Sequence, residues 1–208
     1  RPPSYKMLPN TTLFRTLDWE KEKPLYEQII QLYDDFAVEK DPVKRDTLTA
    51  KINRLSLEAA KYTVTSDFSN LIEGMGGENL NAGTGYDMTM YYNNFPAYQM
   101  DKWLEVNSER LMNPVFRAFQ AELENVFEEY NMYQDSRNTH VSQFMYSNLY
   151  PTHPYGRDII GNPEHLKNPR LSKLIEFYNT WYVPSNMALV LVGNFDTNEV
   201  LPMVKAKF

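Results

Sequence analysis

Five of the eight glycines in this 208-residue chain fall within twelve residues, at Gly74, Gly76, Gly77, Gly83 and Gly85. No other feature limits the fold as much. Glycine permits backbone conformations and close backbone approaches that other residues resist, so the chain's special geometry is gathered in one place. Strand formers follow at Met88-Thr89-Met90-Tyr91-Tyr92, and Asn93-Asn94 and Pro96 end them. Residues 74–96 read as a glycine-bent lead into one or two strands. Two uses fit that pattern: a tight turn with a bulge, or an open strand edge that receives a ligand.

Elsewhere the pattern is helical. From Trp19 onward Leu25, Ile29, Leu32, Tyr33 and Phe36 recur at three- and four-residue steps. Asp41-Pro42 breaks that rhythm and starts a second helix, with Asp41 as cap and Pro42 in first position. That helix carries Leu48, Ile52, Leu55, Ala59 and Tyr62, and the two make a helical hairpin over about residues 19–62. Further helices are expected at 97–111, 115–135, 138–149, 170–181 and from Thr197 onward. Ala188 to Val192 is a continuous apolar run ending at Gly193 and reads as a buried strand. Tyr91, Trp103, Phe144 and Trp181 read as core aromatics. Residues 1–17, with Pro2, Pro3 and Pro9, read as irregular. The class that follows is α+β: a mixed, mostly antiparallel sheet layered with helices, helix-rich, and truncated at both ends.

Composition removes several functions. With no cysteine there are no disulfides, thiolate zinc sites or cysteine nucleophiles, and nothing follows about compartment. Twenty-one basic against 27 acidic residues give a net charge of −6, which argues against nucleic acid as a partner. No run of eighteen apolar residues offers a membrane span. Arg1 to Tyr5 lack an apolar signal core, and the chain reads as a processed or excised piece. Three histidines are a thin supply for a metal site.

The segment 115–135 contains Glu122, Glu124, Glu128 and Glu129. At about 100° per residue, Phe116, Phe119, Leu123, Val126, Phe127, Tyr130 and Tyr133 form one apolar stripe. Glu124 and Glu128 then face solvent. Glu122 and Glu129 lie two turns apart with a drift of only about 20°, both at one margin of the stripe. Carboxylates placed so can ligate a cation or tune each other's ionisation. Glutamates on a helix are also commonly plain solvated charge, and spacing alone leaves both readings open.

Several motifs in order resemble the pitrilysin/insulysin-type zinc metallopeptidases. Gly76-Gly77-Glu78-Asn79-Leu80-Asn81-Ala82-Gly83-Thr84 is similar to the family's Gly-Gly-x-x-Asn-Ala-x-Thr turn, with one residue extra. Asp87-Met88-Thr89-Met90-Tyr91-Tyr92 resembles the strand after it. Glu109-Arg110-Leu111-Met112-Asn113-Pro114-Val115-Phe116 is similar to Glu-Arg-x-x-Asn-Pro-x-Phe. His153-Pro154-Tyr155-Gly156, Ile160-Gly161-Asn162-Pro163-Glu164 and the run from Tyr182 through Asn186-Met187 to Gly193 match later segments. The stretch Leu17-Asp18-Trp19-Glu20-Lys21-Glu22-Lys23-Pro24 resembles an insert found in bacterial members.

The resemblance implies a LuxS/metallohydrolase-like half-domain, here a partial N-terminal peptidase-type domain with the hairpin as an insert. It implies zinc in an intact member, with Glu129 as third ligand and Glu122 as a supporting carboxylate two turns earlier. The other two ligands belong to a His-x-x-Glu-His motif whose glutamate is the general base. That motif is missing: Pro2, Tyr5 and Lys6 occupy the His, Glu and His positions. A catalytic zinc needs about three protein ligands and an open position, so no zinc is expected in this chain. The resemblance also implies peptide substrate bound as an added strand, near Asn81, Ala82, Gly83 and Thr84. A second homologous domain or subunit is the expected partner. The expected location is the periplasm or cell envelope, with the cytoplasm as the alternative. The function expected is part of a metalloendopeptidase, inactive as given. The alternatives are a non-catalytic subunit for peptide capture or assembly, and a purely structural helical module.

Overall fold

The computed structural model describes residues 16–64 and 66–208. The positions of Pro2, Tyr5 and Lys6 lie outside the described residues. Helix α1 (Trp19–Val38) and helix α2 (Pro42–Ala60) form the expected hairpin. Its turn is set by capping: the Asp41 carboxylate accepts from the Val43 and Lys44 amides, and Pro42 fills the first helical position. The base is closed by a Thr16–Thr63 bridge and by the Leu17 amide donating to the Tyr62 carbonyl at 2.8 Å.

A short helix, α3 (Asp67–Gly74), leads into the glycine cluster. The sequence gives it no clear signal, because eight residues hold too few apolar positions to show a period. Strands β1 (Glu78–Thr84) and β2 (Thr89–Asn94) pair antiparallel, and they are the sheet of the described residues. After a 3-10 turn at Ala97–Gln99 come α4 (Met100–Met112), α5 (Phe119–Gln134) and α6 (Arg137–Leu149). Then follow α7 (Pro163–Lys167), α8 (Leu171–Trp181) and α9 (Thr197–Lys207).

Two apolar cores organise these elements. In the first, Ile29 and Tyr33 of α1 and Ile52 and Leu55 of α2 meet Phe116, Leu171 and Tyr178. In the second, Phe68, Ile72 and Met75 meet Met100, Trp103, Leu104 and Val200. The hairpin is thus built into the core through α8, where Ser172 also donates to Asp34 at 2.6 Å. Arg110 stands between the cores, with its guanidinium 4.1 Å from the Phe68 ring and 4.8 Å from that of Tyr91. The Tyr91 hydroxyl lies 3.1 Å from that of Tyr182, which packs against the first core, and so completes the connection.

Three expectations are corrected. Among the described residues the sheet is a two-stranded antiparallel ribbon in an otherwise helical α+β fold, where a mixed, mostly antiparallel sheet was expected. Ala188–Val192 forms no strand among the described residues and is not buried: Val190 and Val192 are 77% and 93% exposed, and only Leu191 reaches the second core. An apolar run becomes a strand only where a neighbour pairs with it, and none of the described residues does so. Among the four aromatics, Trp103 is buried and Tyr91 half-buried, but Phe144 and Trp181 are exposed. Helix α6 buries no residue, so Phe144 has no core to enter.

Candidate functional site

The glycine pair has a definite physical role. Gly76 takes the left-handed conformation, φ +79°. Its amide donates to the Glu73 carbonyl, and the Gly77 amide donates to the Ile72 carbonyl, each at 2.8 Å. This is a Schellman ending of α3, which satisfies two terminal carbonyls and turns the chain directly into β1. A side chain at Gly77 would stand 2.5 Å from Ile72 Cγ2 and 2.7 Å from the Ile72 oxygen. Only glycine fits there.

The extra residue in the turn motif also finds its place. The pairing of β1 with β2 slips between Glu78 and Asn81, and Asn79 has φ +54°. The insertion is therefore absorbed as a β-bulge at Asn79, a residue type that tolerates this conformation better than most. Beyond it the register is regular: Asn81 faces Tyr92, Ala82 faces Tyr91, Gly83 faces Met90 and Thr84 faces Thr89.

That register says which groups face away from β2. The Gly85 amide donates to Met88 across the turn at 2.8 Å. Hydrogen-bonded pairs alternate from there, through Gly83–Met90 to Asn81–Tyr92. Ala82 and Thr84 consequently turn their N–H and C=O groups away from β2, toward the outer edge. The Ala82 amide is met there by the neighbouring Asn81 Oδ1 at 2.8 Å. The four residues expected at a peptide edge, Asn81, Ala82, Gly83 and Thr84, thus lie together on β1.

Helix α5 places its glutamates as the wheel requires. Glu124 and Glu128 are exposed, whereas Glu122 and Glu129 are half-buried. Burial raises the Glu122 carboxyl above the ordinary glutamate value. Two turns separate Glu122 from Glu129 by about 10 Å along the axis, so they occupy successive levels of one face. The apolar stripe is shallower than expected: Val126 is buried, Tyr133 exposed, and Phe119, Leu123, Phe127 and Tyr130 lie between.

An aromatic group that sequence reasoning missed connects strand and helix. Tyr86, in the β1–β2 turn, lies 5.0 Å from the Tyr155 ring and 6.1 Å from the Tyr146 ring of α6. The Tyr155 hydroxyl donates a short hydrogen bond to Asp87. Tyr150 and His153 complete the group. Helix α6 in turn packs on α5. The only sequence signal was the His-Pro-Tyr-Gly motif itself. Gly156 ends that motif against the Tyr150 carbonyl, with no room for a side chain.

Zinc does not fit the described residues by themselves. No group of three or more His, Cys, Asp or Glu side chains among them is arranged to hold a metal. The histidines stand elsewhere: His140 Nε2 contacts the Gln134 carbonyl at 2.7 Å, His153 Nδ1 accepts from the Tyr155 amide, and His165 lies in α7. No helix of the described residues is long and apolar enough to cross a membrane.

Comparison with known proteins gives consistent matches. Residues 48–163, more than half of the chain, match the family described as Insulinase (Peptidase family M16). Residues 170–208 match the Peptidase M16 inactive domain. The chain is 30% identical over 150 residues to the uncharacterized zinc protease YmfH of Bacillus subtilis, covering 71% of this chain and 34% of that one. It is 26% identical over 160 residues to the zinc protease PqqE of Helicobacter pylori, covering 76% and 36%. The crystal structure of a protease from Helicobacter pylori superposes with a TM-score of 0.65 at 26% identity, over 69% of this chain and 35% of that one. The chain spans about a third of the length of these relatives.

Proposed function

This chain belongs to the insulinase family of peptidases, and on that premise we propose that it supplies the peptide-binding edge and the carboxylate helix of a zinc-dependent metalloendopeptidase. The curated relatives carry the name zinc protease, which supports zinc as the cofactor of an intact member. The observation that carries the proposal is the outer edge of β1, which no described residue pairs with as a strand, and toward which Ala82 and Thr84 present main-chain groups. An extended peptide adds there as a third strand, held by main-chain hydrogen bonds largely independent of its sequence. Glu129 is assigned as the third metal ligand and Glu122 as the carboxylate supporting it. The full LuxS/metallohydrolase-like half-domain, the hairpin as an insert within it, and a second homologous domain or subunit are part of the same proposal.

The donor set limits what this chain does alone. With Glu129 and Glu122 as its contribution, the chain as given binds zinc poorly and hydrolyses no peptide. The match of residues 170–208 to the inactive domain favours a second reading, a non-catalytic subunit that captures peptide. Both readings place the peptide on β1. An NMR titration with an extended, unstructured peptide of about ten residues, long enough to span a strand of ordinary length, tests them together. The Ala82 and Thr84 amides gain exchange protection, and Gly83, already facing β2, changes little. Perturbations confined to other elements overturn the proposal.

A further inference from the structure

Three contacts fasten the start of α5 to the first helix of the hairpin. Arg117, two residues before α5, forms a two-pronged ion pair with Glu22: its Nε donates to Oε1, and Nη2 donates to Oε2 at 3.0 Å. Both side chains are buried, 5% and 1% exposed. The Phe116 amide donates to the Tyr26 hydroxyl at 3.3 Å. The Tyr33 hydroxyl donates to Gln120 Oε1 at 2.5 Å, inside the first turn of α5, and its ring meets Phe119 edge-on at 5.0 Å. Between these anchors Ala118 takes φ +52°, a conformation an alanine holds only where its surroundings impose it.

A buried ion pair is a poor source of stability, because desolvation offsets most of its attraction. What a two-pronged pair supplies is direction: the planar guanidinium accepts a carboxylate in one orientation. Apolar packing at the same place would hold α5 without fixing how it points. The site needs that direction, since Glu122 and Glu129 leave one face of α5 and a helix rotation of one residue, about 100°, would turn both away.

We infer that Glu22 and Arg117 are positioning residues: through their ion pair the hairpin sets the axis and rotation of α5, and with them the aim of Glu122 and Glu129. The inference rests on the proposed role of α5 in the site, although its test needs neither zinc nor peptide.

The test separates direction from stability. The double variant Glu22→Leu/Arg117→Met replaces the pair by apolar side chains of similar volume, a change that generally leaves stability equal or higher. The full chain is followed by amide hydrogen exchange and by 13C titration of the Glu122 carboxyl. Exchange of the Phe119–Val126 amides accelerates roughly tenfold, the equivalent of one lost hydrogen-bond-sized contribution, while α4 amides keep their rates. The Glu122 midpoint falls toward the ordinary glutamate value as the first turn admits water. A double variant with unchanged α5 exchange and unchanged Glu122 titration overturns the inference, and so does one whose α4 and α5 loosen equally. Tyr33→Phe removes one hydroxyl and leaves the core intact, so it reports even if the double variant fails to fold. It accelerates α5 exchange alone, and no change there counts against the inference.

Discussion

Replacing Gly77 by alanine probes the turn that feeds the candidate site. The added methyl group lies 2.5 Å from Ile72 Cγ2, 2.7 Å from the Ile72 oxygen and 3.2 Å from the Asn94 oxygen. Ile72 is fully buried and β-branched, so its side chain has little freedom to withdraw. The Ile72 oxygen is backbone, and it accepts the hydrogen bond from Gly77 itself. Relief therefore breaks the Schellman bond or pushes β1 away from β2. Overpacking costs about 1–3 kcal/mol and the lost hydrogen bond about 1 kcal/mol. For a chain of this size each kcal/mol moves the melting midpoint by about 2–4 °C. The two costs together come to about 2–4 kcal/mol, so the expected drop is roughly 4–16 °C by circular dichroism. Gly74→Ala is the control. It has open space around its added methyl group and lies in the last turn of α3, so it stabilises by up to about 1 kcal/mol through helix propensity. A Gly77→Ala protein melting with the wild type, or a Gly74→Ala protein falling as far as Gly77→Ala, would show that the Gly77 site is not sterically confined.

Two further outcomes follow from the same geometry. Burial raises the Glu122 carboxyl in the folded chain, so its contribution to stability is full below the unfolded value and is lost as pH rises through the folded one. Glu122→Gln removes that dependence: the fall in stability across the weakly acidic range becomes shallower, and urea midpoints at several pH values measure it. Deleting Asn79 removes the bulge residue, and the pairs from Asn81–Tyr92 to Thr84–Thr89 persist. Cross-strand NOEs check this, and a register moved by one residue contradicts it.

What the sequence made legible was local. Asp41-Pro42 marked the hairpin turn because capping and proline geometry are properties of adjacent residues. The facing of Glu122 and Glu129 followed from helical periodicity alone. The glycine cluster marked a special turn, although only the folded backbone shows that Gly76 and Gly77 end a helix there. The misses depend on distant partners. Ala188–Val192 has the composition of a strand, but composition carries no information about a neighbour to pair with. Phe144 is as apolar as Trp103, and only packing separates an exposed helix face from a core. The Glu22–Arg117 pair joins residues 95 positions apart, a spacing with no periodic signature.

Under the proposed function, this chain carries the α5 carboxylates of a zinc peptidase without a complete set of zinc ligands. Metal analysis of the purified chain, after zinc loading and exhaustive dialysis, tests it most directly. The expected result is far less than one zinc per chain, with Glu129→Ala indistinguishable from the wild type. One zinc retained per chain, and lost in Glu129→Ala, contradicts it.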